Sequence, residues 1–289
     1  MPTRRDFVRL SALAAAAGCT LGRTSRAFAA PASSGLIYGV QLYMVRRQAV
    51  KDLAGVLRAI HQIGFSQIEL FPIAYTHSAP ELRRIVEDAG LGAVSGHFDY
   101  DGFESKIDYA KQLGLKFMVC PMLPLSQWNS VEGFRKGAAD FNAWGKLVHE
   151  AGMEFAFHNH NYEFKPQGNT TGFAELMKHT DPALVKLELD VYWLVQAGQD
   201  PMAMLTAHAD RARLFHMKDR TANAPTSFTP MGQPGHFTEL GKGTIQWPQL
   251  LAQARKQGIR YAFVDQDETA GPVLESLKES YTYLHHLNL

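Results

Sequence analysis

Ala151-Gly152-Met153-Glu154-Phe155-Ala156-Phe157-His158 is the stretch that decides the fold. A helix-like segment ends in glycine, one residue follows, and an apolar run then ends in a polar side chain. Glycine just past a helix takes the left-handed conformation at little steric cost, so it marks a helix end. The apolar run reads as a buried strand. The same order recurs at Ile63-Gly64-Phe65, Ala89-Gly90-Leu91, Leu113-Gly114-Leu115 and Gln257-Gly258-Ile259, each just ahead of an apolar run. Repeated helix-to-strand steps imply alternating α and β elements around a parallel sheet.

Working outward from these points, the sequence predicts strands near 36–42, 66–70, 93–97, 117–120, 154–158, 185–190, 214–218 and 261–266. Helices are expected near 51–62, 80–89, 103–113, 131–151, 171–179, 200–207, 247–257 and 272–287. Leu53, Val56, Leu57 and Ile60 carry the helical period of the first. Asp181-Pro182 and Asp200-Pro201 each offer a helix-start signal. Eight βα units over 36–289 fit a single (β/α)8 TIM barrel. An open doubly wound sheet is the alternative, weakened because no Gly-rich nucleotide turn follows the first strand. The long connections 159–171 and 219–243 both follow strands, so both belong to the face where such barrels carry their chemistry.

The 289 residues are 46% hydrophobic and 20% charged, enough for a sizeable core. The net charge of +1 hides an asymmetry. Arg4, Arg5, Arg9, Arg23 and Arg26 face Asp6 alone in the first 29 residues, so the remaining chain carries a net charge of −3. That body gives no reason to expect nucleic acid. Thr3-Arg4-Arg5-Asp6-Phe7, an Ala-rich run to Leu21 and Ala27-Phe28-Ala29 resemble a twin-arginine export signal over 1–29, with 30–35 as a short linker. The expected location is periplasmic or otherwise exported. Lipid anchoring at Cys19 is the weaker alternative, and the apolar run is too short for a stable membrane span. Cys120 then has no partner and reads as a buried small hydrophobe.

His158, Asp190, His216 and Asp265 each end a predicted strand. On consecutive strands of one barrel they would be neighbours, and two imidazoles with two carboxylates suit Mn²⁺, Mg²⁺, Co²⁺, Fe²⁺ or Zn²⁺. Other candidates lie around the same mouth. Glu69, His97, Trp193 and His236 are read as substrate contacts, and Trp128 and Trp247 as further stacking surfaces. Lys218 is read as an oxyanion partner, or else as the mate of Asp219 or Asp267. Tyr43 and Arg46 are expected to cover the mouth.

The segments 157–164 (FHNHNYEF), 187–193 (LELDVYW), 215–219 (FHMKD), 239–243 (ELGKG) with Trp247, and 264–267 (VDQD) resemble the xylose isomerase-like TIM-barrel superfamily. The resemblance runs from about Leu36 to the C-terminus. That superfamily includes sugar (phosphate) isomerases and epimerases, ketose 3-epimerases, inosose dehydratases and AP endonucleases. It implies a divalent metal held by Glu, Asp, His and Glu on strands five to eight. Asp190 and His216 match the central pair, whereas His158 and Asp265 depart from the outer two. Glu163 is a second candidate for the strand-five ligand, and with His160 a candidate for proton transfer.

The resulting expectation is a metal-dependent sugar isomerase or epimerase. It would remove a proton beside a carbonyl on a non-phosphorylated or oxidised (3-keto) sugar. The alternatives are a lyase or dehydratase on a keto-sugar or keto-inositol, an AP endonuclease-like phosphodiesterase, or a non-catalytic sugar-binding barrel. The mildly acidic body argues against the phosphodiesterase. The expected partner is a small carbohydrate, and a homo-oligomer is compatible with the sequence.

Overall fold

The structure, a computed structural model, describes residues 35–230 and 236–287. The expected export signal, Cys19 and linker positions 30–34 lie outside the described residues. Eight strands form the barrel: β1 (Ile37–Gln41), β2 (Gln67–Leu70), β3 (Gly92–His97), β4 (Phe117–Cys120), β5 (Glu154–His158), β6 (Val185–Asp190), β7 (Ala212–Met217) and β8 (Tyr261–Val264). Every pairing is parallel, and β1 closes onto β8. The eight-stranded (β/α)8 barrel expected from the sequence is therefore the fold. Gly64, Gly90, Gly114, Gly152 and Gly258 all have positive φ, as the helix-end pattern required.

Strand alternation explains how the barrel carries both a core and a site. Side chains two apart on a strand share a face. Ala156, Leu214 and Phe263 belong to one apolar cluster with Val94, Phe117 and Val119. Two residues further along stand His158 and His216 on their strands and Asp265 one residue past the end of β8. The apolar layer thus plugs the barrel, and the polar layer lies above it at the strand ends. A larger core fills the space between sheet and helices.

Two helices were not foreseen, Arg46–Ala49 and Val191–Gln196. The first is too short to show a period. The second is almost wholly buried, so it has no polar face to mark it. The helix after β3 begins at Ile107, because residues 104–106 form a tighter 3₁₀ turn. Asp200-Pro201 does start a helix, Pro201–Ala207. Asp181-Pro182 does not, since only a turn, held by Asp181 Oδ1 accepting from Ala183 N, fits before β6. In the loop after β7, Asp219–Arg220 pairs antiparallel with Phe237–Thr238. No helix among the described residues is long and apolar enough to cross a membrane.

Candidate metal centre

His158 ends β5, Asp190 ends β6 and His216 lies one residue before the end of β7. Their donor atoms meet above the apolar plug. His158 Nε2 is 3.1 Å from His216 Nδ1 and 3.2 Å from Asp190 Oδ2, and His216 Nδ1 is 3.7 Å from Asp190 Oδ2. A tetrahedral site with bonds of 2.0–2.1 Å would have edges of about 3.3–3.5 Å. All three residues are buried, so no solvent shell competes for these atoms. Spacing and donor types therefore fit a divalent ion held by His158, Asp190 and His216. The second oxygen of Asp190 is already committed, because Oδ1 accepts from Trp193 N and caps the helix that follows.

Asp265 stands slightly apart. Its Oδ2 is 3.8 Å from His216 Nδ1 but only 2.6 Å from Lys218 Nζ. Lys218 also meets Asp267 Oδ1 at 2.7 Å and Asp190 Oδ2 at 3.3 Å. Burial opposes its charge, yet Asp190, Asp265 and Asp267 outweigh that and raise its pKa well above the ordinary lysine range. Burial likewise opposes the Asp190 charge, and Lys218, His158 and His216 together more than compensate, holding the carboxyl well below its usual range. Asp219, the other partner considered for Lys218, instead takes N–H groups from Gly241, Gly243, Ile245 and the Trp247 indole, which anchors the seventh loop.

Beneath His216 lies a second buried group. His216 Nε2 donates to Glu69 Oε2 at 2.6 Å, and His97 Nε2 lies 2.8 Å from Glu188 Oε2 and 3.2 Å from Glu69 Oε2. Gln41 Nε2 donates to the same Glu69 oxygen at 2.7 Å. Burial resists charging His216, but Glu188 and Glu69 overcome it and raise its pKa well above the ordinary histidine range. His97 is raised to about 9 in the same way, burial opposing and Glu69 with Glu188 prevailing. Glu69, expected at the substrate, is wholly buried below the pocket and orients His216 from behind. This arrangement leaves Nδ1 of His216 for the upper face. Glu188 was missed in the sequence. The signal was available: it lies two residues before Asp190 on one strand, so both face the barrel interior.

Above these groups opens a pocket of about 260 Å³. It is lined by Gln41, Tyr43, Phe71, His97, Asp99, Pro121, Met122, His158, His160, Lys218, Pro230, Asp265 and Asp267. Tyr43 lies at this mouth as expected, and Arg46 ties the first loop to the eighth through Asp267 O and Glu268. His160 faces the pocket, and burial, then His158, holds its pKa well below the usual histidine value. Glu163 does not line the pocket or join the ligand atoms. Its two oxygens accept from His160 N at 3.1 and 3.0 Å, and burial pushes its carboxyl up to about 8. None of the tryptophans lines the pocket. Trp193 and Trp247 are core, Trp128 stacks on Tyr162, and the aromatic lining is Tyr43 and Phe71. His236 is half-buried outside the lining, where its carbonyl accepts from Thr221 N.

A parallel eight-stranded barrel with acid and imidazole groups gathered at its strand ends defines a class. The family described as "Xylose isomerase-like TIM barrel" matches residues 57–270, and the chain belongs to it. Over 158 residues it is 31% identical to an inosose dehydratase of Bacillus anthracis, covering 51% of this chain and 52% of that relative. The chain thus spans about half the length of the curated relatives it matches. A solved sugar phosphate isomerase/epimerase from Parabacteroides distasonis ATCC 8503 is similar at a TM-score of 0.72 and 25% identity, over 88% of this chain and 95% of that one. The 3-keto-D-glucoside 4-epimerase from E. coli shares the fold at a TM-score of 0.67 and 16% identity, over 87% and 99%.

Proposed function

We propose that this chain is a divalent-metal-dependent enzyme that removes a proton beside a carbonyl on a small, non-phosphorylated keto-sugar, isomerising or epimerising it. The observation that carries the reading is the meeting of Asp190 and His216 with His158, which itself lines the pocket. These three would hold the ion. When bound, the ion supplies a positive charge for the carbonyl oxygen, which becomes more negative as the neighbouring C–H bond breaks.

The chain's own groups do the rest. His160, kept neutral by burial, faces the pocket from the β5 side as a proton acceptor. Asp265 faces it from the β8 side, and its buried Oδ1 has no hydrogen-bond partner among the described residues. Inversion at one carbon requires that one of these groups take the proton from one face while the other, protonated beforehand, delivers a proton to the opposite face. Lys218 steadies the carboxylates between them. Asp99, Asp265 and Asp267 oppose Lys218, the sole lysine or arginine among the lining residues, so a phosphate dianion would be repelled. The small volume favours one ring over a polymer.

Similarity to inosose dehydratase supports a second outcome from the same first step, loss of water from the adjacent carbon. One experiment separates them. Mn²⁺-loaded protein is incubated in D₂O with non-phosphorylated keto-sugars and keto-cyclitols, and NMR follows the carbon beside the carbonyl. Deuterium incorporation by the wild type but not by Asp190→Ala is expected. A product of unchanged composition identifies isomerisation or epimerisation, and a product short of one water identifies dehydration. No exchange with any substrate would remove the reading. Export through residues 1–29 belongs to the proposal and is tested by cell fractionation.

A further inference from the structure

Lys218 occupies an unusual place for a buried ammonium. Its Nζ lies 2.6 Å from Asp265, 2.7 Å from Asp267 and 3.3 Å from Asp190, and all of these groups are near the ends of β6, β7 and β8. Three carboxylates against one ammonium leave two formal negative charges. One divalent cation balances them. The same contacts divide the carboxylates by role. Asp190 Oδ2 lies within 3.7 Å of both imidazole donors, whereas Asp265 Oδ2 is drawn to Lys218 and comes no nearer than 3.8 Å to His216 Nδ1. Asp265 Oδ1, buried and without a partner among the described residues, is left facing the space above.

We infer that Lys218 is a built-in counter-cation that withholds Asp265 from the metal, leaving the ion three protein ligands and Asp265 a free carboxylate at the substrate. This rests on the metal centre proposed above. Three ligands with open positions are what a catalytic ion needs, whereas a fourth fixed ligand moves a site toward the closed, structural kind. The ammonium opposes the ion by simple repulsion at short range, so the chain gives up metal affinity for an open coordination position.

The test is metal binding, read without turnover. Full-length wild type, Asp190→Ala, Asp265→Asn, Lys218→Met and Lys218→Arg are stripped, dialysed against Mn²⁺ or Zn²⁺, and measured by elemental analysis and calorimetry. Far-UV circular dichroism checks that each is folded. Asp265→Asn is expected to keep one ion per chain, with affinity within about threefold of wild type. Lys218→Met is expected to bind at least about tenfold more tightly, because three carboxylates lose their counter-cation. Lys218→Arg keeps the charge and should stay near wild type. Loss of the ion from Asp265→Asn, as from Asp190→Ala, would overturn the inference, as would unchanged or weaker binding by folded Lys218→Met. A wild type that takes up neither ion would overturn the metal centre itself and this inference with it.

Discussion

At the scale of single residues, Glu163 gives the sharpest consequence. It is buried, and its carboxyl is pushed up to about 8 by burial. A folded pKa above the unfolded value means that the folded chain holds the proton more tightly. The associated stability is complete below the unfolded value near 4.5 and is lost as pH rises through about 8. Between pH 5.5 and 9 this one group should cost the wild type about 3 kcal/mol. Glu163→Gln keeps an oxygen for His160 N and removes the charge, so its stability should lack that decline. Urea unfolding at the two pH values measures the difference. A variant that falls with pH as steeply as the wild type would mean that Glu163 is already ionised in the folded chain. The position of Glu163 also shows what sequence could not reach. It lies five residues beyond His158 in a loop, and only the turn at 162–164 decides that it points back to the His160 amide instead of to the ion.

At the scale of elements, the fold was legible because its signals are local. A helix-ending glycine is a requirement on one residue, and an apolar run ending in His or Asp is a pattern over five. The eight strand positions came from such signals, with boundaries within two residues of the structure. What was not legible depends on which strands face one another. Lys218 and Asp267 lie 49 residues apart, and His97 and Glu188 lie 91 apart. Their pairing exists only once the barrel closes. The helix Val131–Glu150 carries a similar hidden constraint. A Cβ on Gly145 would lie 2.8 Å from Leu184 O, closer than real Cβ atoms come to backbone, at the turn that feeds β6. Gly145→Ala gains up to about 1 kcal/mol of helix propensity and loses more by pushing the helix off the turn, a net loss of about 1–2 kcal/mol. Gly152 is the contrast, with open space around it but φ of +87°, so Gly152→Ala should cost about 1 kcal/mol through conformation alone. Only Gly145→Ala should also disturb Asp190 at the far end of β6. Thermal unfolding and metal affinity of the two variants separate the effects. Equal metal affinity in both would show that β6 does not transmit the shift.

At the scale of the whole molecule, the proposed ion ties three elements that are distant along the chain. His158 and Asp190 lie 32 residues apart, and His158 and His216 lie 58 apart. The unfolded chain cannot hold these donors together without closing both loops, so an ion that needs all three binds the folded barrel. Binding of this kind adds to stability in proportion to the logarithm of free ion over its dissociation constant, about 2.7 kcal/mol at a hundredfold excess. For a chain of this size that is roughly 5–10 °C in melting temperature. Stripped wild type should therefore melt lower than wild type with excess Mn²⁺ or Zn²⁺, and the gap should close in Asp190→Ala. Asp265→Asn should retain the full gap, because its charge is paired with Lys218 and not with the ion. A gap that survived in Asp190→Ala would place the stabilising ion elsewhere, and the lower cluster of Glu69, His97, Glu188 and His216 would be the first place to look, since its four buried side chains also approach one another closely enough to hold one.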